Sequence, residues 1–149
     1  GCGRVAWAAA RAGAEVTASD INPEAVQSIR ESSATNQLHL TLIASDLFQD
    51  IPPQSFDYIF INPPYYPRAA QNYQEQAFFC GTEFEYFQQL FDQLPNYLAK
   101  EAVAHLILSE DCEIETIARL ARERKMTWQL VMQTQRAGEQ QFIFAAGVK

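Results

Sequence analysis

The hydrophobic pattern of the chain switches repeatedly between the helical and the extended period. Helical spacing of apolar residues occurs in four segments: residues 4–12, 22–33, 82–98 and 113–124. Short β-prone runs occur in six segments: residues 14–19, 38–44, 56–61, 103–108, 127–135 and 140–148. This alternation predicts an α/β fold with a doubly wound, mainly parallel Rossmann-like sheet. The last two runs flank a turn at residues 136–139, which predicts a closing antiparallel hairpin.

Local signals mark the ends of several elements. Gly13 predicts the end of the first helix, and Asn22-Pro23 predicts a cap and first position for the second helix. Thr82 is a candidate cap for the third helix. The run at 56–61 is FDYIFI, which is almost entirely apolar and predicts a central strand. Because no linker or repeat divides the chain, we expect residues 1–149 to form one domain.

Composition limits the classes of function. The chain carries 18 acidic and 11 basic side chains, for a net charge of -7, which disfavours non-specific binding to nucleic acid. No run approaches the ~20 apolar residues of a membrane-spanning helix, and no signal-peptide pattern opens the chain, so no membrane partner is expected. The three cysteines lack the spacing of a zinc site. We therefore expect reduced thiols, no metal and a cytoplasmic location.

Polar side chains follow three of the predicted strands at the point where each strand ends. Asp20 comes directly after AEVTAS, Asp46 comes shortly after LHLTLIA, and Asn62 directly follows FDYIFI. Ligands of a doubly wound sheet bind beyond the carboxyl ends of its strands. Each aspartate alone could equally cap a helix or a turn, but the three positions together favour a ligand site.

A glycine-rich segment opens the chain. Gly1-Cys2-Gly3 precedes the first helix and resembles the rear half of a nucleotide-binding loop, in which glycine allows the backbone to approach a ligand closely. Asp20 lies seventeen positions after Gly3. One helix and one strand fit in that interval and would bring an acidic side chain back to a ribose.

Asn62-Pro63-Pro64-Tyr65 is the most specific motif of the chain. The nitrogen of a planar amino group is a poor nucleophile because its lone pair is delocalised. The side-chain oxygen of Asn62 and the carbonyl of Pro63 could accept both N–H hydrogens and stabilise the positive charge that develops during methylation. Two successive prolines make the carbonyl direction rigid. Tyr65 could stack on the flat acceptor.

These motifs resemble those of class I S-adenosylmethionine-dependent methyltransferases of the N-P-P-Y amino-methylating group. That group includes release-factor glutamine methyltransferases and adenine- or guanine-N-methyltransferases. The resemblance extends over nearly the whole chain and rests on four segments: Gly1-Cys2-Gly3, Ser19-Asp20-Ile21-Asn22-Pro23, Ser45-Asp46-Leu47-Phe48 and Phe56 to Tyr65.

The resemblance implies an S-adenosylmethionine site and an acceptor site. The implied cofactor-binding residues are Gly1, Gly3, Asp20, Ile21, Asp46, Leu47 and Asn62. Among these, Asp20 would bind the ribose hydroxyls, and Asp46 and Leu47 would face the adenine. Asn62-Pro63-Pro64-Tyr65 would hold the target amine for a direct displacement without metal. The family loop normally begins with a strand and a further glycine, so we expect that a first strand precedes Gly1.

Several alternatives remain at this point. The acceptor could be a glutamine amide of a protein resembling a release factor, or a base amine of a nucleic acid, and the acidic balance favours the protein. A basic cluster at Arg119, Arg122, Arg124 and Lys125 is interpreted as a solvated helix face. A glycine loop with a spaced acid also occurs in dinucleotide-dependent oxidoreductases, although hydride transfer has no use for Asn62-Pro63-Pro64-Tyr65. A non-catalytic nucleotide-binding module is the third alternative.

Overall fold

The computed structural model describes residues 3–136 and 138–149. They form two compact units, one up to Pro52 and one from Pro53 onward. The first unit contains two helices and two strands: α1 (Arg4–Arg11), β1 (Thr17–Asp20), α2 (Pro23–Thr35) and β2 (Thr41–Ala44). The strands β1 and β2 pair in parallel, with Asp20 opposite Ala44, so the carboxyl ends of both strands meet at the same edge.

The predicted end of α1 and the predicted start of α2 are confirmed. Gly13 follows α1 with a φ of +91°, a left-handed conformation that suits glycine. The side chain of Asn22 accepts a hydrogen bond of 3.0 Å from the backbone N–H of Glu24, and Pro23 occupies the first turn of α2. The helix α2 therefore begins as the sequence predicts. Its buried face carries Val26 and Ile29.

The second unit combines a four-stranded sheet with three α-helices. Its elements are β3 (Phe56–Ile61), α3 (Tyr73–Gln76), α4 (Glu85–Gln93), β4 (Leu98–Ser109), α5 (Ile114–Glu123), β5 (Gln129–Arg136) and β6 (Glu139–Gly147). The strand order is β3-β4-β6-β5, in which β3 and β4 are parallel and the remaining pairs are antiparallel. The predicted α/β fold with parallel strands and a closing hairpin is confirmed. Of the predicted turn, Ala137 lies outside the described residues.

The core of the second unit is rich in aromatic side chains. Fully buried residues come from α4, β4, α5 and the segment after α5: Phe87, Leu90, Phe91, Leu106, Leu108, Ile117 and Met126. The ring of Phe91 meets Trp128 edge-on at 5.9 Å, and Trp128 stacks on Phe144 at 4.8 Å. These contacts join α4 and the segment after α5 to β6.

Within the described residues, β3 lies at one edge of the four-stranded sheet, with Tyr58 and Phe60 71% and 57% exposed, and its predicted central position stays a prediction. Two local predictions are wrong. The helix α4 begins at Glu85 after Phe84, which has a φ of +59°, so Thr82 is not its cap. The strand β4 begins at Leu98, earlier than predicted, and its register with β3 shifts.

Candidate active site

The glycine loop is described from Gly3 onward, since Gly1 and Cys2 lie outside the described residues. Gly3 precedes α1 with a φ of +71°, and its carbonyl accepts a hydrogen bond from Trp7. A Cβ atom at this position would lie 3.2 Å from both Cγ atoms of Ile29. The loop at the start of α1 therefore requires glycine for two reasons, backbone conformation and space.

Asp20 is the last residue of β1 and is half-buried. Its Oδ1 accepts a hydrogen bond of 2.9 Å from the backbone N–H of Asn22, and its carbonyl accepts one of 3.0 Å from Ser45. Ile21, which follows, is also half-buried. The carboxylate is therefore held at the end of a strand by the turn that follows it.

Asp46 and Leu47 lie in a tight turn shortly after β2. Leu47 has a φ of +51°, an uncommon conformation for a leucine. The Oγ of Ser45 donates to the carbonyl of Leu47 at 3.0 Å and accepts from the backbone N–H of Asp50 at 3.0 Å. Phe48 is buried next to this turn. The turn is therefore fixed by a buried hydroxyl and by an aromatic anchor.

Asn62 follows the last residue of β3 and is exposed, whereas Pro63 and Pro64 are buried and Tyr65 is half-buried. The two buried prolines hold the backbone while the amide side chain remains accessible. Both features suit a pair of preorganised acceptors. The arrangement agrees with the site predicted for a planar amine, and the role of these four residues stays a prediction.

The chain after Tyr65 forms a closed loop. The backbone N–H groups of Tyr65 and Tyr66 both donate to the carbonyl of Phe78, at 3.1 and 2.9 Å, and Cys80 donates to the carbonyl of Tyr66 at 2.9 Å. The rings of Tyr65 and Tyr66 lie 4.8 Å apart. The electrostatic interaction with Tyr65 raises the pKa of Tyr66, and burial and nearby acidic side chains raise it further. The guanidinium of Arg68 lies 5.9 Å from the ring centroid of Phe79. These contacts fix the backbone on the carboxyl side of Tyr65.

Other candidate groups have structural roles. Burial raises the pKa of the Cys80 thiol to about 11, and it raises that of Cys112, so both free thiols are protonated at neutral pH. Arg119 pairs with Glu123 at 2.7 Å on the exposed side of α5. Within the described ranges, His, Cys, Asp and Glu side chains form no group of three that could hold a metal ion.

The structure thus brings Asp20 and Asp46 to one edge of the β1–β2 sheet, and it places Asn62, Pro63, Pro64 and Tyr65 at the carboxyl end of β3. Sequence reasoning assigned no role to Ser45. Its position between a strand and an aspartate is a turn signal, but a turn serine is only recognised as buried once the chain is folded.

A family model supplies an independent finding. The model described as methyltransferase small domain matches residues 1–86, which include the glycine loop, both aspartates and Asn62-Pro63-Pro64-Tyr65. The chain belongs to this family. Membership of the methyltransferase small domain family does not favour the alternatives of a dinucleotide-dependent oxidoreductase or a non-catalytic module.

Similar proteins extend this result. A relative from Methanocaldococcus jannaschii that carries the name protein N5-glutamine methyltransferase is 35% identical over 127 residues. The match covers 80% of this chain and 64% of that relative. The chain thus spans less than two thirds of the length of this curated methyltransferase.

Two solved structures show the same fold at low identity. The Mtq2–Trm112 complex of E. cuniculi, responsible for methylation of the eRF1 translation termination factor, matches with a TM-score of 0.72 and 19% identity, covering 99% of this chain and 80% of that chain. The 16S rRNA N2 G1207 methyltransferase of T. thermophilus, in complex with AdoMet and guanosine, matches with a TM-score of 0.66 and 20% identity. That match covers 94% of this chain and 33% of that chain. No helix in the described part of this chain combines the length and apolar composition that crossing a membrane requires.

Proposed function

We propose that the protein is an S-adenosylmethionine-dependent N-methyltransferase whose acceptor is the side-chain amide of a glutamine in a protein. One observation carries the proposal: Asn62 is exposed at the end of β3 and is followed by two buried prolines. The name of the M. jannaschii relative, a protein N5-glutamine methyltransferase, supports the choice of acceptor. The net charge of -7 also favours a protein over a polyanionic nucleic acid.

The proposed acceptor chemistry uses two oxygens of the Asn62-Pro63-Pro64-Tyr65 segment. The side-chain oxygen of Asn62 and the carbonyl oxygen of Pro63 accept the two N–H hydrogens of the target amide. This orients the amide nitrogen toward the methyl donor and stabilises the positive charge that forms on it. Tyr65, half-buried and backed by Tyr66, packs against the flat amide. The amide nitrogen would bond to the methyl carbon as the bond from that carbon to the sulfonium sulfur breaks, which would release S-adenosylhomocysteine. The methylated nitrogen would then lose one proton to solvent, and the step would need neither a metal nor a covalent enzyme intermediate.

In this proposal the first unit holds the nucleoside part of the cofactor. Gly3 would permit close approach of the ligand, and the carboxylate of Asp20 would accept hydrogen bonds from ribose hydroxyls. Ile21 and Leu47 would contact the adenine, and the carboxylate of Asp46 would accept a hydrogen bond from its amino group. When bound, S-adenosylmethionine supplies an electrophilic methyl group on a sulfonium. AdoMet in the T. thermophilus neighbour supports this choice of cofactor.

The proposal treats residues 1–149 as part of one methyltransferase domain. Gly1 belongs to the cofactor loop in this proposal. A cytoplasmic location is included, because the buried free thiols of Cys80 and Cys112 suit a reducing compartment.

Radiolabelled methyl transfer to cell extract tests the function. S-adenosylmethionine with labelled methyl and the full chain should label material that survives RNase and DNase but not protease. Label lost with nuclease would contradict a protein acceptor, and a wild-type chain without transferase activity and without affinity for S-adenosylhomocysteine would contradict the methyltransferase proposal.

Replacing Asn62 by alanine tests whether its side-chain oxygen accepts a hydrogen bond from the target amide. Loss of one preorganised acceptor should lower kcat by about 10²–10³-fold, while the Kd for S-adenosylhomocysteine changes little. The matched control is Asn96→Ala, which removes another exposed asparagine of the same unit and should leave both quantities unchanged. Equal losses of turnover and cofactor affinity in Asn62→Ala would contradict the assigned role.

A further inference from the structure

Ser45 is a buried polar residue of the first unit, 5% exposed, and its hydroxyl makes two hydrogen bonds. The Oγ donates to the carbonyl of Leu47 at 3.0 Å and accepts from the N–H of Asp50 at 3.0 Å. Its backbone N–H donates to the carbonyl of Asp20 at 3.0 Å. Ser45 therefore connects the end of β1 to the turn that contains Asp46.

The turn that Ser45 closes has an unfavourable backbone conformation. Leu47, with its φ of +51°, lies in the left-handed region, which is disfavoured for an L residue with a branched side chain. Inside the turn, the N–H of Gln49 donates to the carbonyl of Asp46 at 3.1 Å. Because an isolated Ser-Asp-Leu-Phe segment would leave this conformation, buried contacts must hold it, and the serine hydroxyl bonds directly to the strained residue.

We propose that Ser45 is a positioning residue that holds Asp46 and Leu47 in place for the adenine of the cofactor. This inference rests on the proposed function, in which the Asp46 carboxylate pairs with the adenine amino group. The hydroxyl contributes no ligand contact of its own. It fixes the carbonyl of Leu47 and the N–H of Asp50, which close the turn that carries Asp46, so its removal changes the recognition of the base.

A comparison of two ligands that differ only in the base distinguishes this role from a contribution to folding alone. In S-inosylhomocysteine the adenine amine, a donor, is replaced by a carbonyl oxygen, an acceptor that repels a carboxylate. The wild-type chain should therefore bind S-adenosylhomocysteine about tenfold or more tightly than the inosine analogue. A general loss of stability weakens both ligands equally and leaves the ratio of the two Kd values unchanged.

The structure offers a matched control in Ser33. This serine is 4% exposed, lies in the same unit, and its Oγ accepts a hydrogen bond of 3.0 Å from the indole N–H of Trp7. Ser33→Ala thus removes a buried, bonded hydroxyl that does not touch the Asp46 turn. Ser45→Thr is the conservative variant, because it keeps a hydroxyl on the same carbon.

The experiment is isothermal titration of the full chain with each of the two ligands. Ser45→Ala should raise the Kd for S-adenosylhomocysteine about tenfold and lower the discrimination ratio severalfold. Ser33→Ala should keep the wild-type ratio, and Ser45→Thr should recover most of it. A wild-type ratio in Ser45→Ala, or an equal fall of the ratio in Ser33→Ala, would overturn the role of Ser45. Failure of the wild type to bind S-adenosylhomocysteine would instead overturn the proposed function, and this inference with it.

Discussion

Replacing Gly3 by alanine tests the geometry at the start of α1. Gly3 has a φ of +71°, and a built Cβ lies 3.2 Å from both Cγ1 and Cγ2 of Ile29. The substitution therefore imposes two separate costs. One is the left-handed backbone, and the other is crowding against a buried β-branched side chain that has little room to move.

The magnitude follows from these two costs and one offset. The left-handed conformation costs an alanine about 1–2 kcal/mol, and overpacking costs about 1–3 kcal/mol. Alanine also lowers the entropy of the unfolded chain, which offsets about 0.4–1 kcal/mol. Gly3→Ala should thus lower the free energy of unfolding by about 1–5 kcal/mol.

Gly13 supplies the matched control. It has a φ of +91°, and a Cβ there would meet nothing within 4 Å. Gly13→Ala therefore carries the backbone cost without the crowding. The difference between the two variants should be about 1–3 kcal/mol.

Urea unfolding followed by far-ultraviolet circular dichroism measures both variants against the wild type. A Gly3→Ala chain that is no less stable than Gly13→Ala would refute the reasoning about Ile29. Titration with S-adenosylhomocysteine under folding conditions then reports whether the loop has lost its ligand as well as its stability.

Three further variants and the reactivity of one cysteine give specific expectations. Phe87→Ala removes a fully buried ring that meets Tyr86 edge-on at 5.4 Å, and it should cost about 3–5 kcal/mol of unfolding free energy in urea melts. Arg119→Ala breaks an exposed ion pair and should lower the free energy of unfolding by less than about 0.5 kcal/mol. The side chain of Arg124 is 21% exposed and bonds Asp92 at 2.7 Å, so Arg124→Ala should lower the free energy of unfolding by about 1–2 kcal/mol. Equal losses in the two variants would contradict this distinction. Cys80 should resist iodoacetamide at pH 7.5 in the folded chain and react after denaturation, as peptide mass spectrometry would report. Its pKa rises from 9.0 to about 11 on folding, so its contribution to stability is complete below pH 9 and is lost as the pH rises toward 11.

Local signals predicted most elements of the fold. Asn22-Pro23 and Gly13 marked real helix ends because capping and left-handed glycine depend on neighbouring residues alone. The start of α4 was misplaced because its N-cap, Phe84, has a left-handed backbone and a buried side chain, and tertiary packing overrides capping preference there.

The sequence by itself determined the alternation of strands and helices and the residue types that carry the chemistry: glycine before α1, an acid at the end of β1 and one after β2, and Asn62 with two prolines after β3. These follow from local periodicity and from the donors and acceptors that each side chain possesses. Only the tertiary structure decided that Pro63 and Pro64 are buried while Asn62 stays accessible. It also decided that Ser45, inconspicuous in the chain, closes the turn at Asp46, because burial and hydrogen-bond partners depend on residues that become neighbours only on folding.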